Sequence, residues 1–151
     1  MTMVTMDSPL GRLGVEAQAG VITRLIWGAT PKGPPTPLLR EAVAQLTAYF
    51  QGRLQRFDLP TNVQGSDFQR AVCDAMASIP FGETLTYGQI ARQTGKSAQA
   101  VGNACGANPI PIIIPCHRVL GADGLGGFSG AGGVEAKVHL LRLEGAAGLL
   151  I

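Results

Sequence analysis

Three short runs rich in apolar and β-branched residues open the chain: Met3 to Met6, Leu13 to Ala17 and Val21 to Trp27. Ser8-Pro9-Leu10-Gly11 and Gln18-Ala19-Gly20 separate them, so they predict a small antiparallel sheet with tight turns. Residues Gly28 to Pro37 hold four prolines and two glycines and read as a loop. Thr36 then caps a predicted helix with Pro37 in its first turn, running to Phe50 and stopping at Gly52. Arg53 to Gly65, with Pro60 and Asn62, reads as a linker. Beyond it the pattern becomes helical. Phe68, Val72, Met76 and Ile79 recur at helical spacing behind an N-cap at Ser66, and Pro80 ends the run. Thr86 caps a shorter helix through Arg92, Gly95 turns the chain, and Ser97 caps another reaching Ala107, which makes a helix-turn-helix candidate. A glycine-rich stretch, with seven glycines in the 13 positions from Gly121 to Gly133, precedes a last helix ending at Leu143-Glu144-Gly145.

Composition narrows the class. Hydrophobic residues make up 46% of the 151-residue chain and charged residues 15%, which excludes disorder, and no apolar stretch approaches a membrane span. The start of the chain lacks a basic region followed by a long apolar one, so no secretory signal is expected. Three cysteines, Cys73, Cys105 and Cys116, form an odd set with no CxxC spacing, against a disulfide framework or structural zinc. A reducing, cytoplasmic setting is expected, with no membrane partner. The net charge of +2 does not announce nucleic acid, and from Gly65 onward six basic residues balance six acidic ones. Any phosphate contacts must lean on helix N-termini, backbone N–H groups and a few local cations.

The chemistry concentrates at Pro115-Cys116-His117-Arg118, directly after the apolar run Ile110-Pro111-Ile112-Ile113-Ile114. A sulfur nucleophile works as thiolate, and a neighbouring imidazole can take its proton if a third group holds the other ring nitrogen. Cys116 is the candidate nucleophile, although a cysteine beside such a run also suits a buried small hydrophobe. The surroundings decide between the two. Phe81-Gly82-Glu83-Thr84-Leu85-Thr86-Tyr87, Ala100-Val101-Gly102-Asn103-Ala104, Asn108-Pro109-Ile110-Pro111, Val119-Leu120-Gly121 and Gly127-Phe128-Ser129-Gly130 flank the tetrapeptide in order.

In this order and spacing the chain resembles the O6-alkylguanine-DNA alkyltransferases, the methylated-DNA:protein-cysteine methyltransferases, densely from about Ser66 to Gly145 and loosely from Met3 to Tyr49. The resemblance implies an α+β fold: a small N-terminal antiparallel sheet with a helix over residues 1–62, then a mostly helical DNA-binding and alkyl-acceptor domain over 63–151 with a winged helix-turn-helix-like motif. It implies direct-reversal repair of duplex DNA containing O6-alkylguanine, and possibly O4-alkylthymine. The base is flipped out and its alkyl group passes irreversibly to Cys116, once per molecule and without a cofactor. A monomer is expected. His117 would contact the sulfur through a water and be oriented by Glu144. Asn108 would tie the preceding turn to the active-site segment, and Tyr87 would donate its hydroxyl to the guanine ring. Backbone carbonyls of Cys116 and Val119 would read the exocyclic amine, Phe128 would wall the pocket, and Ser129, with Gly130 beside it, would face the base oxygen. Ser97, Ala98, Gln99 and Asn103 would lie on the helix that meets DNA. In the same scheme Arg118 is structural and His139 a helix-surface residue.

Two departures bear on these expectations. The family usually places an arginine immediately before Ala-Val-Gly to hold the space left by the flipped nucleotide, and this chain has Gln99 there. A shorter, uncharged side chain implies weakened or retuned flipping, and leaves open an alternative in which the protein senses alkylated DNA with weak or altered transfer. Residues 1–65 contain neither cysteine nor histidine, so the N-terminal zinc site of some relatives has no ligands here, and no metal is expected. A thiol hydrolase built on Cys116, His117 and Glu144 is the remaining alternative, and would turn over repeatedly.

Overall fold

The Ser8 hydroxyl donates to the Gly11 carbonyl at 2.6 Å and closes the turn between β1 (Thr2–Ser8) and β2 (Gly11–Gln18). With β3 (Val21–Trp27) these strands form an antiparallel sheet in chain order, Val4 opposite Val15 and Leu13 opposite Trp27. The structure is a computed structural model describing residues 1–122, 124–126 and 133–146, and it divides into two units, Met1–Val63 and Gln64–Ile151.

In the first unit, α1 (Pro37–Phe50) begins as its sequence dictates. The Thr36 side chain accepts from the Leu39 N–H at 3.2 Å, and Pro37 spends no donor in the first turn. Leu39, Ala42, Leu46 and Tyr49 form its buried face, and the helix packs on β1 and β2. Each fully buried leucine there contributes about 2 kcal/mol. Gly14 is required where β2 passes the following loop, because a Cβ at that position would meet the Ala29 Cβ at 2.3 Å. The expected linker is partly structured. Ile22 N–H donates to the Pro60 carbonyl at 2.8 Å and Asn62 N–H to the Ile22 carbonyl at 3.0 Å, so the stretch docks on the free side of β3. An exposed strand edge offers unpaired backbone groups, and a Pro/Asn-rich segment can satisfy them without helical or strand periodicity of its own.

The second unit packs α2 (Asp67–Ala77), α3 (Tyr87–Thr94) and α4 (Ala98–Gly106) around the fully buried Val72, Met76, Ile90 and Val101. Thr86 and Gln89 form a reciprocal capping box at the start of α3. Gly95, at φ 74°, ends that helix, and Ser97 accepts from the Ala100 N–H at 3.1 Å to start α4. The pair thus forms a helix-turn-helix with Gly95-Lys96-Ser97 as its turn. Before α3 lies β4 (Leu85–Thr86), paired in parallel with β5 (Val119–Leu120), and α5 (Gly133–Leu143) follows. Glu144 and Gly145 form the turn after α5 instead of its last residues. The fold is α+β. No helix among the described residues is long and apolar enough to cross a membrane.

Candidate active site

Cys116 is presented by a segment that Asn108 folds into shape. The Asn108 amide donates to the Ile114 carbonyl at 2.8 Å while its side-chain oxygen accepts from the Ile110 N–H at 3.0 Å. Ile114 N–H donates to the Ile110 carbonyl at 2.9 Å, and Cys116 N–H to the Ile114 carbonyl at 2.8 Å. Inside this closed loop Ile112 holds φ 73°, a left-handed conformation that costs a β-branched residue about 1–3 kcal/mol unless its surroundings impose it. Those surroundings are the Asn108 clamp and the burial of Ile110, Ile112 and Ile114. Cys116, His117 and Arg118 then form one 3-10 turn, all three buried.

The buried imidazole finds its partner from far along the chain. His117 Nε2 lies 2.7 Å from Glu144 Oε2, with both side chains fully inaccessible. Arg118 holds the same carboxylate in a fork, Nε to Oε1 at 2.8 Å and Nη2 to Oε2 at 3.0 Å, and donates through Nη1 to the Ile79 carbonyl at 2.7 Å. Its guanidinium also sits 5.9 Å from the centre of the Phe81 ring. The arrangement fixes the proton on His117. A carboxylate can only accept, so Nε2 carries the hydrogen and Nδ1, buried and without a hydrogen-bond partner among the described residues, is left as a base. Burial pushes the His117 pKa below its ordinary value, partly opposed by Glu144, while the Arg118 and Lys137 charges push it further down. The ring is therefore neutral and able to accept a proton at physiological pH.

Pairing of Leu85 with Val119 and of Thr86 with Leu120 brings the start of α3, and with it Tyr87, alongside the Cys116 turn. Burial, then the charges of Cys105 and Cys116, raise the Tyr87 pKa, so its hydroxyl remains a donor. Gly126 approaches this ring so closely that a Cβ would come 2.8 Å from the Tyr87 hydroxyl. Val119 N–H donates to the Cys116 carbonyl, and the Val119 carbonyl accepts from Lys137 Nζ at 2.6 Å.

Lys137 is the residue that the sequence reading missed. It is fully buried in α5, its ammonium 5.9 Å from the centre of the Tyr87 ring, and burial lowers its pKa while negative charge at Cys116 and Cys105 would raise it. A signal was present: Ala136, Lys137, Leu140 and Leu141 form one buried face at helical spacing, so the lysine falls in line with core leucines.

The structure thus gathers Cys116, His117, Glu144, Asn108, Tyr87 and Val119 around one segment. Ser97, Ala98, Gln99 and Asn103 lie elsewhere, exposed on α4, where Gly102 and Gly106 add no side chain and have open space above them. Phe128, Ser129 and Gly130 lie outside the described residues, and His139 is exposed. No group of three possible metal ligands occurs among the described residues.

Comparison with known proteins places this geometry in a family. Residues 67–146 match the 6-O-methylguanine DNA methyltransferase DNA-binding domain, and residues 1–63 match that family's ribonuclease-like domain. A methylated-DNA–protein-cysteine methyltransferase of Mycobacterium bovis is 45% identical, with 93% of this chain and 90% of the relative covered. Among solved structures, Mycobacterium tuberculosis OGT in complex with DNA superposes with a TM-score of 0.84 at 45% identity, over 95% of this chain and 92% of that one. An O6-methylguanine DNA methyltransferase of Methanococcus jannaschii gives a TM-score of 0.67 at 26% identity, over 100% and 96% of the two chains. The chain belongs to the 6-O-methylguanine DNA methyltransferase family.

Proposed function

We propose that this protein repairs DNA by direct reversal, moving the alkyl group of an O6-alkylguanine to the sulfur of Cys116. One observation carries the reading: the buried His117–Glu144 pair, which leaves Nδ1 as a base one residue from a cysteine. The relay runs from the Cys116 thiol through a water to Nδ1, and Glu144 stabilises the imidazolium that forms. The thiolate displaces guanine from the alkyl carbon, leaving a thioether and the electron pair on the base oxygen. Tyr87 donates its proton to the purine as that charge develops, and Lys137 holds the Val119 carbonyl in place while its charge offsets the thiolate. A thioether has no good leaving group, so each molecule acts once. DNA is the partner, met along the exposed face of α4, and the chain works as a monomer.

Retention of Cys116 with its relay favours transfer over lesion sensing, and single use separates transfer from hydrolysis. Replacement Cys116→Ser provides the test, because a hydroxyl is far less nucleophilic than a thiolate at similar bulk. The variant is expected to bind duplex like the parent and accept no alkyl group. Alkyl transfer to the variant protein would refute the assignment.

A further inference from the structure

Two further thiols, Cys73 in α2 and Cys105 in α4, are buried in the same unit as Cys116, and alkyl transfer uses neither. Cys105 is tied to the acceptor by consecutive hydrogen bonds. Asn108 N–H donates to the Cys105 carbonyl at 3.2 Å, the Asn108 amide to the Ile114 carbonyl at 2.8 Å, and Cys116 N–H to that same carbonyl at 2.8 Å. Cys73 is differently engaged: Gln69 Nε2 donates to its sulfur at 3.6 Å and to the Ala104 carbonyl at 2.9 Å, anchoring it on the α2 side of α4. Negative charge on Cys116 acts on both thiols, but Cys105 also shares with Cys116 its action on Tyr87 and Lys137, which Cys73 does not. The hydrogen-bonded path makes Cys105 the thiol attached to the acceptor's own loop.

We propose that Cys105 is a resolving thiol for Cys116, so that a hydroperoxide converts the pair to a disulfide and stores the acceptor in a recoverable form. The Cys116 thiolate attacks the O–O bond of the peroxide, taking one oxygen as a sulfenic acid and releasing hydroxide. The Cys105 sulfur then attacks the sulfenic sulfur, the S–S bond forms, the S–O bond breaks, and the Cys105 proton leaves with the displaced oxygen as water. Two thiols lose two electrons and the peroxide gains them. Burial pushes the Cys105 thiol up to about 12, which keeps it protonated and slow, so it does not compete with Cys116 for the first oxidant. Without a resolving thiol, the sulfenic acid would proceed to irreversible sulfinic acid. The biological consequence rests on Cys116 being the alkyl acceptor; the bond itself does not.

Trypsin separates the outcomes, because Ser97–Arg118 contains Cys105 and Cys116 with no internal cleavage site, while Cys73 falls in the fragment from Ala71 to Arg92. The full chain, treated with hydrogen peroxide without DNA, is expected to yield Ser97–Arg118 lighter by two hydrogens, restored in mass by dithiothreitol. The same treatment should turn Cys105→Ser and Cys105→Ala into chains bearing a sulfinic acid at Cys116 that dithiothreitol does not reverse. A cross-link between Ala71–Arg92 and Ser97–Arg118 would overturn the proposal in favour of Cys73, as would equal overoxidation of parent and variants. Alkyl acceptance by untreated Cys105→Ser, assayed separately, reports on the repair reading independently of these masses.

Discussion

Glu144 Oε2 serves two donors at once, His117 Nε2 at 2.7 Å and Arg118 Nη2 at 3.0 Å, in a site closed to solvent. Glu144→Gln keeps the shape but turns one acceptor oxygen into an NH2 that faces N–H groups. The imidazole then loses its fixed tautomer. Transfer to Cys116 is expected to slow about a hundredfold, the lower end of a lost acid–base contribution. The buried Arg118 charge, losing its ionised partner, should cost about 3 kcal/mol of stability. Single-turnover reaction with a free alkylated base at a temperature where the variant remains folded measures the first effect apart from the second. An unchanged rate would remove Glu144 from the chemistry.

Acid should destabilise the fold through His117. The folded ring has its pKa depressed by burial, while the unfolded ring titrates at its ordinary 6.5. Below that value the unfolded chain binds a proton that the folded chain refuses, so stability is full above 6.5 and is lost as pH falls toward the folded pKa. Denaturant titrations from about pH 7.5 to 5 should show this decline in the parent and a shallower one in His117→Gln. Identical slopes would mean that the ring is not held neutral.

Asn108 acts on Cys116 without touching it. Asn108→Ala strands the Ile110 N–H and leaves the Ile114 carbonyl with the Cys116 N–H alone, which should cost about 1–3 kcal/mol. It also frees Ile112 to leave its left-handed conformation, so the Cys116 turn loosens. Thermal unfolding reads the first effect, and the rate with a free base reads the second. Asn108→Asp, which keeps the acceptor for Ile110, should retain part of the stability. Equal losses in both variants would contradict the clamp.

Replacing Gln99 can separate flipping from transfer. It is exposed in the first turn of α4, away from the buried relay. If it fills the space of a flipped nucleotide, Gln99→Arg should accelerate repair of duplex substrate and leave reaction with O6-benzylguanine unchanged. A gain of about 1.4 kcal/mol in flipping would read as about tenfold in duplex rate. Equal changes on both substrates would place residue 99 in the pocket.

Local signals explain how much of this was readable from the chain. Thr36, Ser66, Thr86 and Ser97 each cap the helix expected of them, because a short polar side chain before an apolar repeat satisfies orphan N–H groups whatever the tertiary context. Long-range pairings left no such mark. Two-residue strands such as β4 and β5 are too short to show a period, and the docking of Pro60 and Asn62 on β3 has no pattern of its own. Lys137 drew no reading of its own from the sequence because lysine is rarely fully buried; the carbonyl of Val119 and the ring of Tyr87 help make its position tolerable. Arg118 was expected to be structural, but its fork on Glu144, which helps keep His117 neutral, needed the fold to bring residue 144 back to residue 118.

If Cys116 is the acceptor, it keeps the alkyl group as a thioether. The direct measurement is intact mass of the full chain after incubation with excess duplex containing O6-methylguanine, followed by tryptic mapping. A gain of one methyl group per chain is expected, carried by Cys116 within Ser97–Arg118, with no further loss of lesion once every chain is methylated. Unmodified protein, or continued lesion loss beyond one equivalent, would contradict it.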